Sequence, residues 1–177
     1  MLKGPIPSHV EPRQLAERSV TLEGELALER LERLSDSLED DQGAVRTNLS
    51  FERDEQRTVV IRSRLDVDVK MICQRCLEPV VLPIHSECVY AVVNEGANTQ
   101  HLPKGYDVLE VGEDPLDLLA LVEDELLLAL PIVPLHDPEV CQPPTAPDED
   151  VAESTENEVK RSNPFSVLAQ LKRDPNV

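Results

Sequence analysis

The chain has 177 residues, and its 17 Lys+Arg stand against 35 Asp+Glu for a formal net charge of −18. A field of that sign repels phosphate backbones at long range, which disfavours nonspecific binding to bare nucleic acid, and aromatics at 2% leave no stacking platform for single strands. No apolar run reaches the roughly 18 residues of a membrane helix, and the opening MLKGPIPSHVEP lacks both an apolar stretch and a small-residue cleavage site. A cytoplasmic protein is therefore expected, and in a reducing cytosol its four cysteines read as free thiols or metal ligands rather than disulfides.

The length fits one ordinary domain plus appendages, able to bury about 70% of its unfolded surface in a core of Leu, Val and Ile. After Pro5, Pro7 and Pro12 comes a short helix-like run, EPRQLAERS. SVTLEGELAL then alternates, with Val20, Leu22, Leu26 and Leu28 on one side, as a half-buried strand does. LERLERLSDSLEDD predicts a short amphipathic helix on Leu31, Leu34 and Leu38, ending before Gly43.

Three long alternating stretches follow and predict an antiparallel meander with one packed and one wet face. Their inward sets are Val45, Leu49 and Phe51; then Val59, Ile61, Leu65, Val67, Val69, Met71 and Cys73; then Val80, Leu82, Ile84, Cys88, Tyr90 and Val92. A one-residue slip would turn every core side chain to solvent, so parity sets the loops: odd in length around Asp54 to Arg57, even around CQRCLEP. A loop and a short strand, YDVLEV, lead to the apolar helix LDLLALVEDELLLAL, with Asp114 expected as cap, Pro115 at the first position and Pro131 and Pro134 as terminators.

Residues 142–162, QPPTAPDEDVAESTENEVKRS, are poor in large apolar groups and rich in Pro, Glu and Asp, the signature of a flexible acidic linker. In the closing SNPFSVLAQLKR, Asn163 can cap, Pro164 suits a first turn, and Phe165, Leu168 and Leu171 share one side. Burying those three contributes roughly 2 kcal/mol each, whereas ordering about ten residues costs on the order of 15 kcal/mol, so the segment should order only against a surface. The expected fold is thus α+β: a core domain over 1–141 in which one long apolar helix, with short flanking helices, packs an antiparallel meander; a linker over 142–162; and a docking helix over 163–177.

Cys73 and Cys76 stand at a hairpin turn, where both sulfurs can face one metal at about 2.3 Å. His136 and Cys141 in PLHDPEVC are the partners whose spacing suits zinc. The same pair can also be two thiols that simply pack beside the turn, and a thioredoxin-like redox role fits less well because that motif opens a helix. Glu123, Asp124 and Glu125 spread over a wide arc of the helix, cannot all chelate one ion, and read as a solvated or salt-bridged patch rather than a catalytic one. The outward Arg46, Arg62, Arg64 and Lys70 form a modest basic strip interrupted by Asp66 and Asp68, which reads either as ordinary cross-strand pairing or as an RNA contact. No phosphate loop, nucleophile elbow or dinucleotide fingerprint is present.

CQRCLEPV, DLLALVEDELLLALPIVPLHDPEVC and the terminal NPFSVLAQLKR together resemble the large ribosomal RNA subunit accumulation protein family, called YceD in bacteria. The resemblance implies a bacterial factor needed for normal accumulation of large-subunit (23S) ribosomal RNA through its synthesis, processing or stability, with no catalytic residues to carry over. Other branches are richer in cysteine after the long helix, which implies a metal there; here that position offers His136 and Cys141. The expected mode of action is noncatalytic: an acidic surface including Glu123 and Asp124 engages a basic ribosomal or rRNA-processing protein, and Asn163, Pro164, Phe165, Leu168 and Leu171 dock on a second surface. Contact with nucleic acid is expected to be indirect, with no membrane and no small-molecule substrate. The alternatives are a metal-dependent RNA-processing enzyme acting through Asp117, Asp124 or the cysteine pair, and a general acidic chaperone for basic proteins.

Overall fold

Three long strands, β4 (Ala44–Arg53), β5 (Val59–Ile72) and β6 (Pro79–Val93), form the centre of a computed structural model that describes residues 2–100 and 102–142. With β3 (Thr21–Ala27) they make a four-stranded antiparallel meander in which each strand pairs with the next. Arg53 pairs with Val59 and Ile72 with Pro79, so the loops are residues 54–58 and 73–78, odd and even in length as parity requires. Two short strands join the edges in parallel: β1 (Leu2–Lys3) beside β3 and β7 (Asp107–Glu110) beside β6. A separate pair, β2 (His9–Val10) and β8 (Leu116–Asp117), closes the same end of the chain where helix α1 (Pro12–Glu17) begins.

The inward face carries most of the apolar set that alternation predicts: Val45, Leu49, Phe51, Val59, Ile61, Leu65, Val67, Val69, Val80, Ile84, Tyr90 and Val92 are buried. Helix α3 (Leu118–Ala129) covers that face, placing Leu118 and Leu121 in one apolar cluster with Phe51 and Ile61, and Val122 and Leu126 in another with Val45 and Leu65. Small or polar residues lie between the clusters: Gly24 on β3, buried Thr47 and Ser63 on β4 and β5, and Ser86 on β6. Ser86 Oγ and the Tyr90 hydroxyl both donate to the Glu125 carboxylate of α3, so the polar groups of this seam are satisfied rather than left buried without a partner.

Three details depart from the sequence reading. The helix expected from Asp114 and Pro115 starts later, because Leu116 and Asp117 pair with Val10 and His9, and it is the Asp117 carboxylate that accepts the Leu119 and Ala120 N–H groups at 2.9 and 3.1 Å. The amphipathic helix expected over LERLERLSDSLEDD is broken at Leu31, whose φ of −109° and ψ of 79° are not helical, into a 3-10 turn (Leu28–Arg30) and a single turn α2 (Glu32–Ser35). Leu31 and Leu34 are nonetheless fully buried, so the apolar spacing located the core face even though it overstated the helix. Cys88, Met71 and Leu82 are half-buried rather than interior.

Among the described residues no helix is long and apolar enough to cross a membrane. The expected linker, apart from Gln142, and the expected docking helix over 163–177 lie outside the described residues.

Candidate metal centre

The turn from β5 to β6 is tied off by Cys73 N donating to Glu78 O at 2.9 Å and Leu77 N donating to Cys73 O at 2.9 Å. Leu77 sits at φ 63°, a left-handed conformation that costs a non-glycine residue on the order of 1 kcal/mol, so the turn is held against a local preference. At the other end of α3, Pro131 ends the helix and the chain runs back across this turn. Gln74 N donates to Pro134 O at 2.9 Å, and His136 N donates to Cys73 Sγ at 3.4 Å. Val140 N and Cys141 N both donate to Asp137 O at 3.1 Å, a reverse turn that returns Cys141 to the cluster.

Cys73, Cys76, His136 and Cys141, the four residues singled out in the sequence, are thereby brought together, with their ligand atoms all within 4.8 Å of one another. Cys73 Sγ lies 3.8 Å from Cys141 Sγ, and Cys76 Sγ lies 3.2 Å from His136 Nδ1. A tetrahedral zinc with Zn–S near 2.3 Å and Zn–N near 2.05 Å requires S···S of about 3.8 Å and S···N of about 3.5 Å, so this donor set fits the ion in both composition and size. His136 Nε2 lies 3.0 Å from the Pro79 carbonyl, the outer hydrogen bond that would fix the tautomer and leave Nδ1 free to ligate. Among the described residues these cysteines form no disulfide.

The electrostatics of the turn favour thiolate. Burial opposes charge on Cys73, but N–H groups of Cys76, His136 and Arg75 and the Cys76 side chain overcome it and bring the thiol down to about 5. Cys141 is pushed the other way, first by burial and then by the sulfurs of Cys76 and Cys73. A thiolate beside other sulfurs is the arrangement that a divalent metal would neutralise.

The acidic patch is salt-bridged through Arg33, as one reading of the sequence had it, but its members are not equally exposed. Glu123 is buried, not presented to a partner: its Oε1 accepts from Arg33 N at 2.8 Å and Leu34 N at 3.2 Å, and its Oε2 from Arg33 Nε at 2.7 Å. It caps α2 from a different helix, a role that no local sequence pattern announces. Asp124 is exposed and bonds Arg33 at 2.6 Å. The rival enzymatic candidate Asp117 caps α3. Of the outward cations, Arg62 pairs with Glu52, Arg64 with Glu87 and Lys70 with Asp40, so the strip is internally compensated at those positions. Asn163, Pro164, Phe165, Leu168 and Leu171 lie outside the described residues. The supporting carbonyls of Pro79 and Pro134 went unseen in the sequence because a backbone acceptor carries no side-chain signature.

The family model described as "Large ribosomal RNA subunit accumulation protein YceD" matches residues 61–172, a span that contains all four candidate ligands. The chain belongs to the YceD family. A relative from Haemophilus influenzae bearing that family's name is 37% identical over 174 residues, which is 98% of this chain and 99% of the relative. No solved structure matches the chain.

Proposed function

We propose that this chain is a noncatalytic cytoplasmic factor that supports accumulation of large-subunit (23S) ribosomal RNA by engaging a basic ribosomal or rRNA-processing protein, with a structural zinc at Cys73, Cys76, His136 and Cys141. Family membership supports the ribosomal context. The observation that carries the noncatalytic reading is the closed donor set: three cysteines and one histidine would fill all four positions of a tetrahedral ion, leaving none for water or substrate. In that role the metal would supply cross-linking of the β5–β6 turn to the α3 exit and nothing more. Asp117 and Asp124, which an enzyme would need, are engaged in a helix cap and an ion pair.

The charge of −18 favours a cationic partner over bare RNA and speeds the encounter at low salt. Cells in which the gene is deleted, complemented with the full chain or with a chain ending at residue 162, test the reading. Restoration of the ratio of large- to small-subunit ribosomal RNA by the full chain, with in-cell crosslinks to a basic protein, is the expected result. Metal-dependent cleavage of precursor ribosomal RNA by the purified chain, abolished by Asp117→Ala or Asp124→Ala, would replace it with the enzymatic reading. Crosslinks to many unrelated basic proteins, with no effect on ribosomal RNA, would replace it with the general chaperone.

A further inference from the structure

The apolar residues that folding leaves in water are concentrated at one end of the described molecule. Ile132 is 99% exposed, Leu128 85%, Val140 70% and Leu77 66%, with Val133 and Leu135 exposed between them. Leu128 projects from the last turn of α3, one helical turn after exposed Asp124, and the others lie on the α3 exit and the cysteine turn. Those two turns are one surface, because Gln74 N bonds Pro134 O and His136 N bonds Cys73 Sγ. Leu128 and Ile132 gain little from the fold itself, and aliphatic groups grouped in this way mark an interaction surface.

The segment is also stiff. Pro131, Pro134 and Pro138 fix three of its backbone angles, and the bonds to the cysteine turn hold it in place, so little ordering remains to be done when something binds. The polar groups interleaved with the aliphatics are acidic: Glu78, Asp137 and Glu139 are exposed, and Arg75 is the exposed cation of the two turns. A second copy of the chain would bring like charges together, and RNA would bring phosphate against carboxylates.

We propose that the α3 exit and the cysteine turn form a docking face for a basic amphipathic protein segment, whose aliphatic row packs on Leu128, Ile132 and Val133 while its Lys or Arg side chains meet Glu78, Asp137 and Glu139. This rests on the reading of a basic protein partner and names where that partner binds and why charge alone is insufficient.

The test uses the full chain and two labelled 18-residue probes in fluorescence anisotropy: a Leu/Lys peptide with Leu at helical spacing, and the same peptide with every Leu replaced by Ser. The expected result is about tenfold tighter binding of the Leu/Lys probe, a preference that falls below about threefold in Leu128→Ser/Ile132→Ser and survives Val108→Ser, an exposed aliphatic on β7. Both target residues are exposed, and an unchanged melting temperature confirms that the variant is folded. Equal binding of both probes, indifferent to the double substitution, overturns the docking face but leaves a basic partner standing. Binding of neither probe above a Leu/Glu control overturns both. Dimers of the wild type that become monomers in Leu128→Ser/Ile132→Ser would make a second copy the occupant and overturn the proposal. A gain of about tenfold in probe affinity for Phe165→Ser/Leu168→Ser would do so by making the chain's own terminal segment the occupant.

Discussion

Replacing Glu123 separates a structural carboxylate from a partner-facing one. In Glu123→Ala the N–H of fully buried Leu34 loses its acceptor, a loss of about 1–3 kcal/mol, and that of Arg33 loses another in a part-buried setting. Removal of the side-chain stem that fills the α2–α3 junction adds about 1 kcal/mol. The expected destabilisation is about 3 kcal/mol, or roughly 6–12 °C in melting temperature for a chain of this size. Glu123→Gln keeps an oxygen at the Oε1 position and should cost only about 1 kcal/mol, since Oε1 takes both backbone donors. Urea denaturation at one fixed zinc concentration measures both changes with the metal contribution held constant. Stability within about 0.5 kcal/mol of wild type for Glu123→Ala, or equal losses for Ala and Gln, would refute the assignment of Glu123 as a cap.

Three further outcomes are expected. A Cβ on Gly24 would lie 2.2 Å from the Gly4 carbonyl oxygen and 3.2 Å from Ile6 Cδ1, so Gly24→Ala should displace β1 from β3 and lower stability by about 2 kcal/mol; an unchanged melting temperature would count against that close approach. Elemental analysis of the chain purified without chelator should find one zinc equivalent that vanishes in Cys141→Ser, and chelator should lower the wild-type melting temperature by about 20 °C or more. His85 is raised above 6.5, chiefly by its hydrogen bond to Asp66 and then by the charges of Asp66 and Glu87 against a lowering effect of burial. Its contribution to stability is therefore fully present below 6.5 and lost as pH rises through the higher folded value; Asp66→Asn should return the ring's titration, followed by NMR, toward 6.5.

The meander was legible because its signal is repeated: Val59, Ile61, Leu65, Val67 and Val69 each vote for the same face, and one conflicting residue cannot outweigh them. Loop parity followed from the same alternation. The two-residue strands β1, β2 and β8 were not legible, since a period of two cannot be detected in two residues, and they exist only through tertiary pairing. Asp117 was preferred over Asp114 as cap for the same kind of reason, a pairing with His9 that lies far away in sequence. The candidate ligands could be nominated by residue type and spacing, but closing the sixty-residue gap between Cys76 and His136 depended on the Pro134 and Pro79 carbonyls. Glu123 was misplaced because adjacent acids look alike in sequence, and only the packing of α2 against α3 tells the buried one from the exposed one.

β7 pairs only with Tyr90–Val93 of β6, so among the described residues the stretch from Pro79 to Val89 has no strand beside it on that side. A row of main-chain groups without a partner strand, on a strand of this length, invites another chain to add to the sheet. Pro79 and Pro83 each remove a donor from that row, and exposed His85 and Glu87 follow them. Strand addition is thus blunted at the edge where it would otherwise start, and contacts along that margin are left to side chains instead of to the backbone.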